Sequence, residues 1–123
     1  MNVLDFLGRL FIAVIFFMAG VNKVSGYEST QAYMTKFGVP GELLPLVIAL
    51  EIVGPILLVV GWQTRLAALG LAIFSLLAAF LFHNDFANQM QAIMFMKNLA
   101  ISGGLLILAA HGPGNWSMDR RRR

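Results

Sequence analysis

Apolar residues dominate four long segments of the chain, and short polar stretches separate these segments. The pattern predicts helices over about 3–22, 43–62, 66–83 and 92–110. A helix needs about 20 residues to cross the roughly 30 Å hydrocarbon core of a bilayer, and each segment is near that length. Since lipid offers the backbone no hydrogen-bond partners, each segment should be helical. We therefore predict an all-α, integral membrane four-helix bundle, with one transmembrane domain over residues 1–123.

Lysine and arginine are distributed unevenly between the two ends of the predicted helices. One end carries the N-terminus, the turn at Arg65 and a basic tail over 117–123. The other end carries a long outer loop over 23–42 and a second loop that lacks both residues. Because basic residues flank the cytoplasmic ends of membrane helices, both termini should be cytoplasmic. The first segment is expected to be retained and not cleaved as a signal peptide, since Asp5 offsets the basic charge of its start.

Composition agrees with a membrane protein and excludes several kinds of chemistry. Hydrophobic residues make up 59% of the 123 residues and charged residues 12%, which is about half the charged share of a soluble domain. The chain has no cysteine, so it forms no disulfide and offers no thiolate to a metal, an iron–sulfur cluster or a covalently attached haem. The net charge of +3 comes without a basic stripe of interleaved aromatic residues, which argues against nucleic-acid binding.

Two ionisable residues lie inside the outer halves of apolar segments. Glu51 is in the second segment and Lys97 is in the fourth, and both segments start at the outer side. At 1.5 Å per residue, the depths of the two residues differ by about 3 Å, which is within side-chain reach. A charge inside a bilayer costs roughly 2.5–3.5 kcal/mol on insertion scales. We therefore predict a Glu51–Lys97 ion pair.

Two arginines lie toward the inner side and are candidates for contact with anions or lipid headgroups. Arg9 is inside the first segment, and Arg65 is in the turn before the third. Two interpretations of Arg9 are open. Its long side chain can extend to the inner headgroups, as membrane lysines and arginines commonly do. Alternatively, it faces the bundle interior and stabilises an anion or a carboxylate.

The other polar residues predict a pocket below the outer surface. Its members are Glu51, His83, Asp85, Gln89, Lys97 and Asn98. Hydrogen-bond donors with aromatic neighbours could accept a quinone headgroup, without any covalently bound cofactor. Metal binding through His83, Asp85 and Glu51 is a weaker alternative, because no ligand spacing is diagnostic. No metal site is therefore predicted, and purely structural polarity is the third alternative.

Several short motifs lie at the ends of the predicted helices and around their polar residues. They are Gly8-Arg9, Ala19-Gly20-x-x-Lys23, Gly38-Val39-Pro40, Leu50-Glu51, Gly61-x-x-Thr64-Arg65, Leu81-Phe82-His83 and Met94-Phe95-x-Lys97-Asn98. In this combination the chain resembles the DoxX family of small four-helix membrane proteins over nearly its whole length. The resemblance implies a bacterial inner-membrane protein. Members are often labelled quinol oxidase subunits, and others are linked to oxidative-stress defence with soluble redox partners. The resemblance assigns catalysis to no residue here.

The lipid bilayer is the first partner that we predict for this chain. Two classes of function are compatible with its residues. The first is a quinone- or quinol-linked redox subunit that acts with a soluble or membrane redox partner, since this chain has no thiolates to carry electrons. The second is a non-catalytic scaffold or small-solute transport component, with Glu51–Lys97 as a structural ion pair. A homo-oligomer is compatible with both. No catalytic residue is assigned, and enzymatic activity stays open.

Overall fold

The computed structural model describes residues 2–82, 85–112 and 114 of the chain. It contains five α-helices: α1 (Asn2–Ser25), α2 (Tyr27–Lys36), α3 (Leu44–Val60), α4 (Thr64–Phe82) and α5 (Gln89–His111). A single 3₁₀ turn, Gly41–Leu43, leads into α3. The described residues contain no strand, so the all-α prediction is confirmed for this part of the chain.

Four of the helices are long and apolar enough to cross a membrane. The candidate spans are Val3–Ser25, Gly41–Val60, Thr64–Phe82 and Gln89–His111. This confirms four membrane-length helices in the described residues. α1 extends beyond its predicted end at residue 22, and α5 begins before its predicted start at residue 92. The side of the membrane that each terminus faces stays a prediction, so the inner end here means only the end of the bundle that holds the start of α1, and the outer end means the opposite one. The basic tail over 117–123 lies outside the described residues.

α2 lies between α1 and α3 in the chain and belongs to none of the spans. Gly38 follows its end with a φ of +79°, a left-handed conformation in which glycine carries no steric penalty. Three aromatic rings connect α2 to the outer end of α4, because Phe82 packs 5.4 Å from Tyr33 and 5.3 Å from Phe37 between ring centroids. The short helix is therefore fixed against the bundle by side-chain packing.

The long helices pack as two pairs, α1 with α3 and α4 with α5, and α3 also contacts α4. The turn between α3 and α4 is tight: Gly61 has a φ of +74°, and its N–H donates to the carbonyl oxygen of Leu57 at 2.8 Å. All four long helices contribute to one core, whose buried members are Phe16, Leu58, Ala67, Ala68, Leu71, Ala72 and Leu105. The three alanines belong to α4, and small residues of this kind let neighbouring membrane helices approach closely.

Candidate functional site

A buried ion pair connects α1 and α3 in the outer half of the bundle. The Nζ atom of Lys23 lies 2.6 Å from Oε1 of Glu51, and the two side chains are 27% and 4% exposed. Lys23 is in the last turn of α1, where the helix dipole also favours a cation. The predicted Glu51–Lys97 pair is wrong, because Glu51 forms its ion pair with Lys23 and the side chain of Lys97 is exposed.

Gly20 allows α1 and α3 to come close enough for this pair. A methyl group on Gly20 would lie 2.7 Å from Cγ1 of Ile52 and 3.3 Å from Cβ of Glu51. Residues three apart share a helix face. Because Glu51 packs against Gly20, its carboxylate also comes within reach of the Lys23 ammonium. The sequence signal was Gly20-x-x-Lys23. It was missed because the predicted first helix ended at residue 22, which made Lys23 a loop residue.

α5 carries Lys97 on its exposed side. Lys97 lies with Gln89, Ala92, Ile93 and Met96 around a shallow groove that is open to the surroundings and mainly apolar. These positions follow the spacing i, i+3, i+4, i+7, i+8, so they form one face of a helix. Ile93 is 53% exposed and Met96 is 61% exposed, so this face is largely open among the described residues. In a membrane, the groove therefore meets lipid, a lipid-soluble molecule or another protein.

Asn98 follows Lys97 in sequence and faces α4. Its Nδ2 donates to the carbonyl oxygen of Ser75 at 3.5 Å. The carbonyl oxygen of Asn98 accepts a hydrogen bond of 2.8 Å from the hydroxyl of Ser102, which is buried. Successive residues of an α-helix point about 100° apart, which accounts for the different surroundings of Lys97 and Asn98. The bond to Ser75 joins α5 to α4, whereas the bond from Ser102 lies within α5.

The members of the predicted outer pocket are thus divided among separate places. Glu51 lies between α1 and α3, and Asn98 lies between α4 and α5. Gln89 and Lys97 line the same groove on α5. We name this surface, formed by the five groove residues, the α5 groove.

Asp85, another of the predicted pocket residues, lies shortly before the start of α5. Asp85 is exposed, and His83 is outside the described residues. Within residues 2–82, 85–112 and 114, no group of three or more His, Asp or Glu side chains could hold a metal ion. The metal alternative depended on His83 and is not tested by this result.

The aromatic side chains expected near the pocket pack elsewhere. Phe95 contacts Phe80 of α4 and Phe86, with ring centroids 5.3 Å and 5.0 Å apart in edge-to-face geometry. Phe95 and Lys97 are two residues apart and so point in roughly opposite directions from the axis of α5. The three rings therefore support the contact of α4 with α5 and do not line the α5 groove.

At the inner end, two arginines lie beside the C-terminal ends of helices. Arg9 is 1% exposed, and its Nη1 donates to the carbonyl oxygens of Leu58 at 2.7 Å and Val59 at 3.1 Å. These carbonyls lie in the last turn of α3, where helical partners are lacking and a cation complements the helix dipole. Arg9 therefore faces the interior, so the inward-facing interpretation is confirmed and the extension to the lipid headgroups is wrong.

Arg65 differs from Arg9 because its side chain is exposed. Its guanidinium lies against Gly112 at the end of α5, where an added methyl group would be 3.3 Å from Nε. The predicted contact of Arg65 with anions or lipid stays a prediction.

The fold defines a multi-pass α-helical membrane protein, whose described residues include the Lys23–Glu51 ion pair and an exposed lysine, Lys97, inside a candidate span. The sequence model of the DoxX family matches residues 4–84. The chain belongs to the DoxX family, as its motifs indicated. The matched region covers α1 to α4, and α5 with its groove follows it.

The chain is also similar to named bacterial proteins. It is 52% identical over 112 residues to Inner membrane protein YqjF of Escherichia coli strain K12, covering 91% of this chain and 86% of that protein. It is 35% identical over 126 residues to Inner membrane protein YphA of the same strain, covering 97% and 90%. A shorter match, 31% over 58 residues, relates 47% of the chain to 43% of Putative oxidoreductase CatD of Bacillus subtilis strain 168. No solved structure matches the chain significantly. The predicted location, a bacterial inner membrane, is confirmed by the two E. coli relatives and the four candidate spans.

Proposed function

We propose that this protein is the membrane subunit of a quinone-linked redox system and that its α5 groove binds the quinone headgroup. The observation that carries the proposal is the position of Lys97, an exposed cation inside a candidate span and in a groove with Gln89. An intramembrane ionisable residue generally marks a functional site, because its insertion is costly. The name of the Bacillus relative, which covers less than half of this chain, supports a redox role only weakly.

The residues of the α5 groove suit a quinone. A quinone has two carbonyl oxygens that accept hydrogen bonds, and the Lys97 ammonium and the Gln89 amide are both donors. Ala92, Ile93 and Met96 provide apolar contacts for the ring. The groove is open toward the surroundings of the bundle, where a quinone dissolved in the bilayer can enter without crossing the protein. This site differs from the polar pocket below the outer surface that the sequence predicted, because it keeps only Gln89 and Lys97 of that pocket.

Lys97 would stabilise the anionic form of a quinol through its positive charge, and we assign no catalytic residue. When a quinol is oxidised, its electrons must pass to a redox cofactor. The chain has no cysteine for an iron–sulfur cluster or a thiol couple, so we place this cofactor on a partner protein. The released protons would leave through the outer surface, to which the groove is close.

A second candidate function is a non-catalytic membrane scaffold or small-solute transport component. One observation favours it: Glu51, the buried acid of the outer half, is already paired with Lys23 and needs no ligand. In this alternative the Lys23–Glu51 pair only fixes α1 against α3, and Lys97 serves contact with lipid headgroups.

Quinone retention separates the two candidates. The protein is purified in mild detergent, incubated with ubiquinone or menaquinone and washed, and bound quinone is extracted and identified by mass spectrometry. We expect close to one quinone per protein, and loss of most of it in Lys97→Met. Lys36→Met is the matched control, because Lys36 is an exposed lysine on α2, outside the spans.

Two results would contradict the quinone proposal. One is the absence of bound quinone after incubation of the unchanged protein with an excess of either compound. The other is equal retention by Lys97→Met and Lys36→Met, which would place the quinone away from the α5 groove. The first result would favour the scaffold or transport alternative, whereas the second would reject the α5 groove as the quinone site.

A further inference from the structure

The exposed face of α5 continues inward from the groove. Ala100, Gly103 and Ile107 follow Met96 at steps of four, three and four residues, which keeps them on one helix face. Ile107 is 65% exposed, and a methyl group added to Gly103 would have no heavy atom within 4 Å. This inner part of the face is therefore largely uncovered in the described structure, and its small residues would let another helix approach closely.

Lys97 gives this face a charge that is not balanced within the described part of the chain. It lies eight residues after the start of α5, or about 12 Å along the helix. Glu51, the acid inside the outer half, is held by Lys23 at 2.6 Å and is 4% exposed. The other described carboxylates lie in loops or near helix ends: Asp5, Glu28, Glu42 and Asp85. Among the described residues, therefore, no carboxylate besides that of Glu51 lies at the depth of Lys97, and another molecule can supply one.

From this charge and this open face we propose that a transmembrane helix of a different protein packs on α5 and pairs an aspartate or glutamate with Lys97. The inference rests on the proposed function in one respect, since the partner would be the redox partner of this subunit. The partner helix contacts Ala100, Gly103 and Ile107. Its carboxylate accepts from the Lys97 ammonium at the inner end of the α5 groove. The ammonium has three donor hydrogens, so it can still donate to a quinone headgroup in the outer part of the groove.

A second copy of this chain is the less suitable occupant of the face. Two copies in one membrane are related by an axis along the membrane normal, so equivalent residues lie at the same depth. Contact between two α5 helices would bring two Lys97 side chains to one depth without a carboxylate between them. Like charges in hydrocarbon repel strongly, whereas an acidic residue from a different helix attracts Lys97.

The test is site-specific photocrosslinking in native membranes. A benzophenone side chain replaces Ile107, and the same side chain at Leu77, which is 57% exposed on α4, is the control. We expect a crosslinked product from position 107 that is absent from position 77. Its crosslinked peptide should map by mass spectrometry to a transmembrane segment that carries Asp or Glu in its outer half.

Charge reversal then tests the pairing itself. Adding Lys97→Glu should lower the yield of this product by about tenfold or more, since an attractive pair becomes a repulsive one in hydrocarbon. Reversal of the mapped acid to lysine should restore the yield. The inference is overturned by products that contain only lipid or a second copy of this chain, or by a yield that Lys97→Glu does not change. Quinone retention is measured on the purified protein, so its failure can be distinguished from failure of the crosslink.

Discussion

Two lysines in the outer half of the bundle, Lys23 on α1 and Lys97 on α5, have opposite surroundings. Lys23 is within 2.6 Å of a buried carboxylate that belongs to the same chain. Lys97 lies on an exposed helix face beside apolar side chains. Both lie within candidate spans, where a charge is costly to insert. One charge is thus stabilised by the fold of the chain, and the other is left for a ligand or a partner.

The difference follows from how closely each helix face can be approached. Gly20 brings α3 against the Lys23 face of α1, so that Glu51 and Lys23 meet. On α5, Asn98 and Ser102 donate hydrogen bonds to α4, and Lys97 is turned away from α4. The contact of α4 with α5 is stabilised by neutral hydrogen bonds and does not need the charge. Lys97 can therefore serve in binding, because the fold does not depend on its charge. Lys23 and Glu51 hold α1 against α3 and are not available in this way.

The largest expected effect is the loss of Glu51. Glu51→Ala removes one partner of a buried ion pair and leaves Lys23 beside an apolar cavity. Breaking a buried pair costs roughly 3–5 kcal/mol, and we expect the lower end of this range because the Lys23 side chain is 27% exposed. The free energy of unfolding of the purified protein in detergent, followed by circular dichroism, measures the effect.

The control for this change is Glu42→Ala, because Glu42 is an exposed acid at the start of the same span. We expect it to alter stability by no more than about 0.5 kcal/mol. The double change Lys23→Met with Glu51→Leu should recover most of the loss, since both charges leave together. Equal effects of Glu51→Ala and Glu42→Ala would mean that the pair does not stabilise the fold.

The next effect concerns the two arginines of the inner end, which repeat the contrast between a buried and an exposed cation. Arg9→Met leaves the carbonyl groups of Leu58 and Val59 without their donor. Loss of hydrogen bonds to a charged group should destabilise the protein by about 2–3 kcal/mol. Arg65→Met, at an exposed position, should cost less than about 1 kcal/mol in the same unfolding measurement. A larger loss for Arg65→Met than for Arg9→Met would reverse this ranking.

A smaller effect is expected from the glycine that seats the ion pair. Gly20→Ala places a methyl group 2.7 Å from the side chain of Ile52, so Ile52 must move or α1 and α3 must separate. Overpacking of this kind costs about 1–3 kcal/mol. Gly103→Ala is the matched control, since its methyl group meets no atom within 4 Å and gains up to about 1 kcal/mol of helix propensity. If the two alanine variants unfold at the same denaturant concentration, close approach at Gly20 does not hold the pair together.

The sequence predicted the positions of the helices better than it predicted which side chains of different helices contact each other. Hydrophobic length located the four spans because lipid imposes the same requirement on each of them. The partner of Glu51 could not be read from depth alone, since Lys23 and Lys97 both lie in the outer half. The choice between them depends on helix rotation and on the approach that Gly20 allows. For the same reason Asn98 and Lys97 were predicted in one pocket, although successive residues of a helix diverge by about 100°.

The smallest expected effect is that of Lys97 on stability, and it distinguishes Lys97 most clearly from Lys23. Lys97→Met should change the free energy of unfolding in detergent by no more than about 0.5 kcal/mol, because the side chain is exposed on α5. Combined with Glu51→Ala, it should show no coupling beyond about 0.3–0.5 kcal/mol, as for residues without shared contacts. A matching cycle of Lys23→Met with Glu51→Ala should show clear coupling. If the coupling energy between Lys97 and Glu51 is as large as that between Lys23 and Glu51, both lysines interact with the Glu51 carboxylate. Lys97 would then have a structural role. With weak coupling, a loss of quinone or of the crosslinked partner in Lys97 variants reports on binding, since the fold is unchanged.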